Sequence, residues 1–191
     1  MRAAGLLATV GLLLSGVNAH TDVLIRHVTV YDGSGAPPFA ADVRIQGDRI
    51  AAIAPQLEPL SGEIVRDQHG LALAPGFIDM HSHGNGGLLA DLDAATVSRQ
   101  GVTTIVVGQD GESDYPLRDW FGKLTATPPA INVASMVGHA TLRQQAMGKD
   151  LYRPSTAQEL AQMKSLLAKE LTAGAFGLST GLEYEAAHFS T

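Results

Sequence analysis

The pattern of hydrophobic and polar positions changes near residue 73, and its two parts predict different secondary structure. From residue 22 to about 72, short apolar runs rich in Val and Ile alternate with turns that contain Gly and Asp. The clearest turn is Gly47-Asp48, a two-residue connection typical of a β-hairpin. This segment is predicted to form a small β-sheet module, with strands over residues 23–31, 43–45, 50–53, 64–65 and 71–73.

After Pro75 the pattern becomes strand, loop and helix, repeated along the chain. Such alternation predicts a parallel sheet covered by helices. Before the last helix, Thr156 and Glu159 have the spacing of a capping box. An apolar stripe in that helix is expected to pack in the core: Leu160, Met163, Leu167 and Leu171. Strands are predicted over 77–81, 103–108, 131–137 and 175–179, and helices over 88–100, 117–124 and 157–172.

The first 19 residues have the pattern of a signal peptide. Arg2 precedes an apolar run from Ala3 to Gly16, and Val17-Asn18-Ala19 is a cleavage site of the small-x-Ala type. The run is too short for a comfortable membrane span. We therefore expect an exported chain, periplasmic or secreted, without a stable membrane anchor after cleavage. The alternative is an uncleaved anchor or a buried amino-terminal helix.

Composition narrows the possible chemistry. The 191 residues are 45% hydrophobic and 17% charged, as in an ordinary soluble globular protein. The net charge of −6 is spread along the chain, which predicts no binding to nucleic acid. The sequence contains no cysteine, which excludes disulfides, a thiol nucleophile and a thiolate metal site.

The strongest chemical signal is the pair His81 and His83 at the end of a predicted strand. Side chains alternate along a strand, so residues i and i+2 share a face. Two adjacent imidazoles are suitable first ligands for a divalent metal. Active sites of parallel α/β barrels lie at the carboxyl ends of strands, where this pair is expected. The alternative is a pair of solvated or hydrogen-bonded histidines.

Four segments carry a resemblance to a known family. They are Val30-Tyr31-Asp32-Gly33-Ser34-Gly35, Ala74-Pro75-Gly76-Phe77-Ile78-Asp79-Met80-His81-Ser82-His83, Val137-Gly138-His139-Ala140-Thr141-Leu142-Arg143 and Gly177-Leu178-Ser179-Thr180-Gly181-Leu182-Glu183-Tyr184. The first two resemble the amidohydrolase superfamily, which pairs a small β-sandwich with a metal-bearing (β/α)8 barrel. The last two resemble its N-acyl-D-amino-acid deacylases (D-aminoacylases).

The resemblance implies an α/β fold with a defined domain order. After the signal peptide that the sequence pattern predicts over residues 1–19, residues 20–72 are expected to form a small β-sandwich module. Residues 73–191 form the first four βα units of a metal-dependent (β/α)8 barrel, which is therefore incomplete. The catalytic aspartate of the superfamily is expected beyond Thr191. We accordingly expect residues 20–191 alone to be inactive and poorly soluble.

The resemblance also implies a site that holds Zn²⁺, as one or two divalent ions. His81 and His83 correspond to its first ligands. The deacylases usually carry a ligating cysteine where this chain has Asp110, so a carboxylate is expected to replace a thiolate there. An ordinary turn carboxylate is the alternative for Asp110. Glu183 is a further candidate ligand, with a solvated loop acid as its alternative.

Other residues are candidates for substrate contact or for orienting the ligands. Tyr184 and Arg143 are expected to contact the substrate carboxylate, and their alternatives are a packed tyrosine and a structural ion pair. His139 ends a predicted strand and is expected to face the mouth of the site. Its alternative is a structural histidine held by hydrogen bonds. Asp79 either orients an imidazole or is a structural carboxylate.

The function implied by the resemblance is metal-dependent hydrolysis of a linear amide C–N bond. The expected substrate is a small-molecule N-acyl-D-amino acid, cleaved to a carboxylate and a free D-amino acid. One alternative is a cyclic amidohydrolase similar to hydantoinases or dihydroorotases. A second alternative is a non-catalytic scaffold that keeps the barrel and lacks the metal.

Overall fold

A computed structural model describes residues 22–190, so the predicted signal peptide, residues 1–19, lies outside the described residues. The chain divides into two compact units, of which the first ends at Pro75 and the second begins at Gly76. Each unit is described separately below. Among residues 22–190, no helix has both the length and the apolar character that a membrane span requires.

The first unit is a five-stranded β-sheet. Strand β1 is central, antiparallel to β2 and parallel to both β4 and β5, while β3 pairs with β2 at the edge. The predicted hairpin at Gly47-Asp48 is confirmed, because Gln46 pairs with Arg49 across this turn. The strands are β1 (Val23–Val30), β2 (Phe39–Gln46), β3 (Arg49–Ala54), β4 (Ile64–Asp67) and β5 (Ala72–Leu73).

A bulge at His27 shapes the core of this sheet. His27 has a φ of +59°, and the pairing of β1 with β2 shifts register between Ile25 and Val28. The buried carboxylate of Asp42 accepts hydrogen bonds from the backbone N–H groups of His27 (2.9 Å) and Leu57 (3.0 Å). These bonds give an acceptor to one backbone donor at the bulge and to another in the segment after β3. The core residues beside it are Val28, Val30, Ala41 and Val43.

The second unit alternates parallel strands with helices, as the sequence pattern predicts. Strands β6, β7 and β8 form one parallel sheet in sequential order, and β9 pairs in parallel with β10. Only Met136 separates β8 from β9, so the third strand is broken at this residue. The strands are β6 (Phe77–Asp79), β7 (Val102–Val107), β8 (Asn132–Ser135), β9 (Val137–Gly138) and β10 (Leu178–Ser179), and the helices are α1 (Asn85–Leu88), α2 (Ala95–Ser98), α3 (Leu117–Ala126), α4 (His139–Met147) and α5 (Ala157–Thr172).

The helices cover the strands and form the core with them. Side chains of β7, α3 and α4 meet in one apolar cluster that includes Ile105, Val107, Leu117, Trp120 and Leu142. This cluster fixes the directions of the strands, whose carboxyl ends carry the candidate chemistry.

Two helix predictions need correction. The helix expected over residues 88–100 is instead the two single turns α1 and α2. Ala94, between them, has a left-handed φ of +45°, which a right-handed helix cannot continue through. Helix α4 is absent from the sequence prediction, which treats His139 as the end of a strand. In the structure, His139 is the first residue of α4.

The predicted bounds and the predicted cap of helix α5 are confirmed. Thr156 Oγ1 accepts a hydrogen bond from the N–H of Glu159 (3.2 Å), whose carboxylate accepts one from the N–H of Thr156 (2.8 Å). The predicted core stripe is wrong at both ends, since Leu160 and Leu171 are exposed. Met163 is buried, and Leu166 and Leu167 pack on the core, because α5 lies against α4 and β9.

Candidate metal centre

His81 and His83 lie just beyond the end of β6, on a segment that keeps the alternation of a strand. Ser82 between them is buried, and its N–H donates a hydrogen bond to the carbonyl oxygen of Val106 in β7 (3.0 Å). Both histidines are exposed, and their ring centroids lie 5.5 Å apart. The strand ends two residues earlier than predicted, yet its alternation still brings the two imidazoles together.

Asp110 meets both imidazoles from the neighbouring strand. Its Oδ2 lies 3.3 Å from Nε2 of His81 and 3.1 Å from Nε2 of His83. The residue follows β7 with a left-handed φ of +56°, which Asp tolerates better than most residues. Because β6 and β7 are parallel neighbours, their carboxyl ends reach the same edge of the sheet. This geometry joins residues that are 27 and 29 positions apart.

The three side chains form a donor set that suits a divalent metal. Their ligand atoms all lie within 4.8 Å of one another. Ligands bonded at about 2.0–2.1 Å in a tetrahedron lie about 3.3 Å apart, close to the separations from Asp110. Imidazole nitrogen and carboxylate oxygen are both ordinary ligands of Zn²⁺ and similar ions. Within residues 22–190, no second group of three His, Asp or Glu side chains is as compact.

A hydroxyl from β10 holds the loop that carries Asp110. Ser179 Oγ donates a hydrogen bond to the carbonyl oxygen of Gly108 (2.6 Å) and accepts one from the N–H of Gly111 (3.1 Å). A Cβ atom at Gly138 would overlap the carbonyl oxygen of Gly111. The loop therefore depends on contacts with the third and fourth strands of the barrel.

Three cavities reach His83. One, of about 260 Å³, is lined also by Gln109, Asp110, Glu112 and Tyr184. The second has a similar volume of about 260 Å³, and its polar wall includes Asn85, Gln109, Glu112, Ser113 and Asp114. The third, of about 340 Å³, is mostly apolar and is lined by Leu88, Ala94, Val97, Ile105 and Ile131. A small ligand at the imidazole of His83 has both polar and apolar surface beside it.

The structure brings Tyr184 to this site but not Glu183. Tyr184 lies in the turn after β10 and shares a cavity with His83 and Asp110. Glu183 is exposed and does not belong to the compact group of three ligand atoms. Two neighbours along the sequence therefore have different places relative to the site.

The expectation that Arg143 contacts the substrate is wrong, because its side chain does not face the site. Its side chain is only 1% exposed, and its guanidinium donates to three carbonyl oxygens, of Ala186 (2.8 Å), Leu151 (3.0 Å) and Arg153 (3.0 Å). Burial lowers the pKa of Arg143, and the positive charge of Arg153 adds to this effect. A side chain held in this way does not point to a substrate at the candidate centre, and within residues 22–190 it forms no ion pair. Arg143 instead anchors the loop that carries Tyr184.

His139 and Asp79 have different surroundings, and only Asp79 forms the hydrogen bond of a structural residue. Nδ1 of His139 is buried without a hydrogen-bond partner among the described residues. Burial lowers the pKa of His139, and the positive charge of Arg143 lowers it further. Oδ1 of Asp79 accepts a hydrogen bond from the backbone N–H of His81 (3.1 Å). Asp79 thus orders the backbone that bears the histidine.

Sequence reasoning overlooked several residues around the site. Gln109 donates hydrogen bonds to the carbonyl oxygens of Met80 (2.9 Å) and Val106 (3.2 Å), linking the ends of β6 and β7. Glu112 lines both polar cavities. Their position directly after a predicted strand is the signal that could have identified them, because residues at the carboxyl ends of barrel strands form active sites.

The fold and the site define an α/β protein of the parallel-barrel type, with a candidate divalent-metal centre at the carboxyl ends of its strands. Residues 65–190, roughly two thirds of the chain, match the model of the Amidohydrolase family. The chain belongs to the amidohydrolase family, as the sequence resemblance predicts.

Three relatives show which members of the family it is similar to. The N-acyl-D-aspartate deacylase of Alcaligenes xylosoxydans xylosoxydans is 40% identical over 90% of this chain and 39% of its own length. A solved D-aminoacylase with a binuclear metal centre is 38% identical, with a TM-score of 0.79 over 90% of this chain and 40% of that one. The N-acyl-D-glutamate deacylase of Bordetella bronchiseptica, solved with zinc and a phosphonate inhibitor that mimics the tetrahedral intermediate, is 35% identical, with a TM-score of 0.82 and the same coverage.

The chain thus spans about 40% of the length of the relatives it matches. Over this span it has the fold of the solved deacylases, including the parallel half-barrel.

Proposed function

We propose that the whole protein is a metal-dependent hydrolase that cleaves the linear amide bond of N-acyl-D-amino acids. The observation that carries this proposal is the meeting of His81, His83 and Asp110 at the carboxyl ends of two parallel strands. The names of the relatives, which are deacylases of N-acyl-D-amino acids, support this substrate class.

His81, His83 and Asp110 are the proposed ligands of one or two divalent ions, of which Zn²⁺ fits the donor set. When bound, such an ion would supply Lewis-acid assistance to the attack of water on the amide carbonyl. Asp110 contributes the negative charge that balances part of the cation's charge. Ser179 keeps the loop of Asp110 in place, and the turn after β10 brings Tyr184 to the same cavity as a proposed substrate contact.

The test is metal content and amide hydrolysis measured on protein expressed from the complete open reading frame. The wild type would be compared with His81→Ala and Asp110→Ala on a panel of N-acetyl-D- and N-acetyl-L-amino acids. His69→Ala is a matched control, because His69 is an exposed histidine of the first unit. We expect bound zinc and D-selective turnover in the wild type and in the control, and the loss of both in the two site variants.

Each contrary result has a distinct meaning. Metal without turnover of any N-acyl amino acid would overturn the substrate class and leave the metal centre. Turnover that survives Asp110→Ala with unchanged metal content would remove Asp110 from the ligand set. Protein that binds no metal and hydrolyses no amide would contradict the whole proposal.

Export belongs to the same proposal. The sequence of residues 1–19, an apolar run followed by Val17-Asn18-Ala19, supports cleavage after Ala19. The test is fractionation of expressing cells followed by mass spectrometry of the amino terminus. A mature chain that begins at His20 outside the cytoplasm is the expected result, and an intact Met1 in the cytoplasm would contradict it.

A further inference from the structure

Arg143 joins three segments of the second unit that are separate in the sequence. It lies on α4, and its Nε donates a hydrogen bond to the carbonyl oxygen of Ala186 in the turn after β10 (2.8 Å). Its Nη2 donates to the carbonyl oxygens of Leu151 and Arg153 in the loop before α5 (both 3.0 Å). One planar guanidinium thus holds two loops against one helix.

Within residues 22–190, the hydrogen-bond partners of the Arg143 side chain are all backbone carbonyl oxygens. The side chain is 1% exposed, and Glu159, at the start of α5, pairs with Arg153 instead. Removing a cation from water is costly, so its donors require acceptors inside the protein. The fork of donors on a guanidinium reaches several acceptors at once, and for this reason it fixes the segments that supply them.

The turn that Arg143 holds carries Tyr184. Ala186 lies two residues beyond Tyr184, whose carbonyl oxygen accepts hydrogen bonds from the N–H groups of Ala187 and His188 (both 2.9 Å). The backbone from Tyr184 to His188 is therefore one hydrogen-bonded turn. Tyr184 itself is 47% exposed, so among the described residues the position of its ring depends on this backbone more than on side-chain packing.

The same turn lies against the loop of the candidate ligand Asp110. A Cβ atom at Gly181 would overlap both the carbonyl oxygen of Asp110 and the ring of Tyr184. Gly181 is thus in close contact with both, and the ring of Tyr184 shares a cavity with His83 and Asp110. A displacement of the turn at Ala186 would move Tyr184 relative to the candidate ligands.

We propose that Arg143 is a positioning residue, which holds Tyr184 where it meets the substrate and does not contact the substrate itself. This inference rests on the proposed function, since Tyr184 is a substrate contact only in a protein that binds N-acyl amino acids. Among the described residues, Arg143 neither lines the cavity of Tyr184 nor forms a hydrogen bond with the three proposed ligands. Loss of its fork should therefore weaken substrate binding and leave metal binding intact. A contact that is equally strong in the substrate complex and in the transition state changes KM rather than kcat.

The test compares Arg143→Lys, Tyr184→Phe and the double variant, each as zinc-loaded protein from the complete open reading frame. Lysine keeps the positive charge and loses the fork that reaches three carbonyl oxygens. On the panel of N-acetyl-D-amino acids we expect KM to rise about tenfold in Arg143→Lys, while kcat changes by less than about twofold and the zinc content is unchanged. The double variant should have the KM of Tyr184→Phe, because removal of the contact leaves nothing for Arg143 to position.

Arg118→Lys is the matched control, because Arg118 is an exposed arginine on α3 of the same unit, and it should leave KM unchanged. Urea unfolding of each variant measures the loss of stability, and the kinetics are recorded under conditions in which every variant is folded. A less stable Arg143→Lys with the KM of the wild type would overturn the inference, since Arg143 would then be structural only. Increases in KM that multiply in the double variant would also overturn it.

Hydrogen exchange in the wild type tests the same inference without a variant. If Arg143 ties the turn to α4, the amides of Ala187 and His188 should exchange as slowly as those of α4. Exchange as fast as in an exposed loop would overturn the inference, even where Arg143→Lys does not fold.

Binding measured by calorimetry distinguishes failure of this inference from failure of the proposed function. The same N-acetyl-D-amino acids are titrated into zinc-loaded wild type and Arg143→Lys, whether or not they are hydrolysed. Affinity that falls in Arg143→Lys, without turnover in the wild type, would refute the hydrolase proposal and retain the positioning role. Turnover in the wild type with the same KM and affinity in Arg143→Lys would refute the positioning role and retain the hydrolase. Absence of both binding and turnover in the wild type would refute both.

Discussion

At the scale of single residues, Ser179 connects the fourth strand to the loop that bears Asp110. Its buried hydroxyl both donates to Gly108 and accepts from Gly111. Ser179→Ala removes both bonds and leaves a buried carbonyl and a buried N–H unsatisfied. We expect the free energy of unfolding to fall by about 1–3 kcal/mol and the zinc affinity to fall about 10–100-fold. Urea unfolding and competition with a chelator measure the two effects.

The control for Ser179 is a serine whose hydroxyl bond is exposed. Ser98 Oγ donates to the carbonyl oxygen of Asp93 (3.0 Å) at the surface. Ser98→Ala should change stability by less than about 0.5 kcal/mol and leave zinc affinity unchanged. Equal changes in stability and in zinc affinity for the two variants would show that the hydrogen bonds of Ser179 do not hold the loop of Asp110.

Substitutions at two glycines distinguish the effect of close backbone packing from the effect of helix propensity. A Cβ at Gly138 would overlap the backbone of Gly111, whereas a Cβ at Gly122 in α3 meets open space. Gly138→Ala should destabilise the protein by about 2–3 kcal/mol through overpacking. Gly122→Ala should stabilise it by about 0.5–1 kcal/mol, since Ala is the better helix former. Denaturant unfolding compares them, and a stable Gly138→Ala protein would contradict the close contact.

At the scale of elements, the start of α5 predicts how stability depends on pH. Two hydrogen bonds from Arg153 (2.7 and 2.8 Å) lower the pKa of Glu159 to about 2, and the N–H of Thr156 contributes to the shift. A carboxyl whose pKa is lowered by folding stabilises the protein fully above its unfolded value of about 4.5. This contribution is lost as the pH falls from 4.5 towards 2.

Glu159→Gln tests this dependence. The variant keeps an acceptor for the capping box and loses the charge that pairs with Arg153. It should be less stable than the wild type at pH 7, and the difference should vanish near pH 2. Thermal unfolding midpoints across this range provide the measurement. A constant difference at all pH values would mean that packing, rather than ionisation, accounts for the role of Glu159.

At the scale of the whole molecule, the barrel strands leave a large apolar surface exposed. Phe77 is 68% exposed, Ile78 is 61% exposed and Met80 is 53% exposed, all on or beside β6. Several exposed apolar side chains along one strand promote association. We expect residues 22–191, produced alone, to form assemblies at micromolar concentration, as light scattering coupled to size exclusion would show.

Matched variants locate the surface responsible. Ile78→Thr should reduce the fraction of assemblies, because it adds a hydroxyl to the exposed face of β6. Ile50→Thr changes an isoleucine of the first unit that is slightly more exposed, at 67%, and should have a smaller effect. A monodisperse monomer of residues 22–191 would contradict the prediction.

Local signals in the sequence were sufficient to predict the elements whose ends they mark. Helix α5 and the hairpin at Gly47-Asp48 confirm their predictions because their ends are set by neighbouring residues, the capping box in one case and a two-residue turn in the other. The predicted helix over residues 88–100 failed because left-handed Ala94 is not marked by residue type. The family was also readable from short motifs, and the match to the Amidohydrolase family confirms it.

The tertiary structure decided which residues meet. The sequence alone determined the alternation of parallel strands and helices and the shared face of His81 and His83, since both follow from local periodicity. The placement of Asp110 against both imidazoles depends on how β6 and β7 pair, and the burial of Arg143 depends on the loop that closes over it. Contacts between distant segments depend on the packing of the whole unit. This is why the sequence indicated the candidate ligands, while only the fold placed Ser179 and Glu112 beside them.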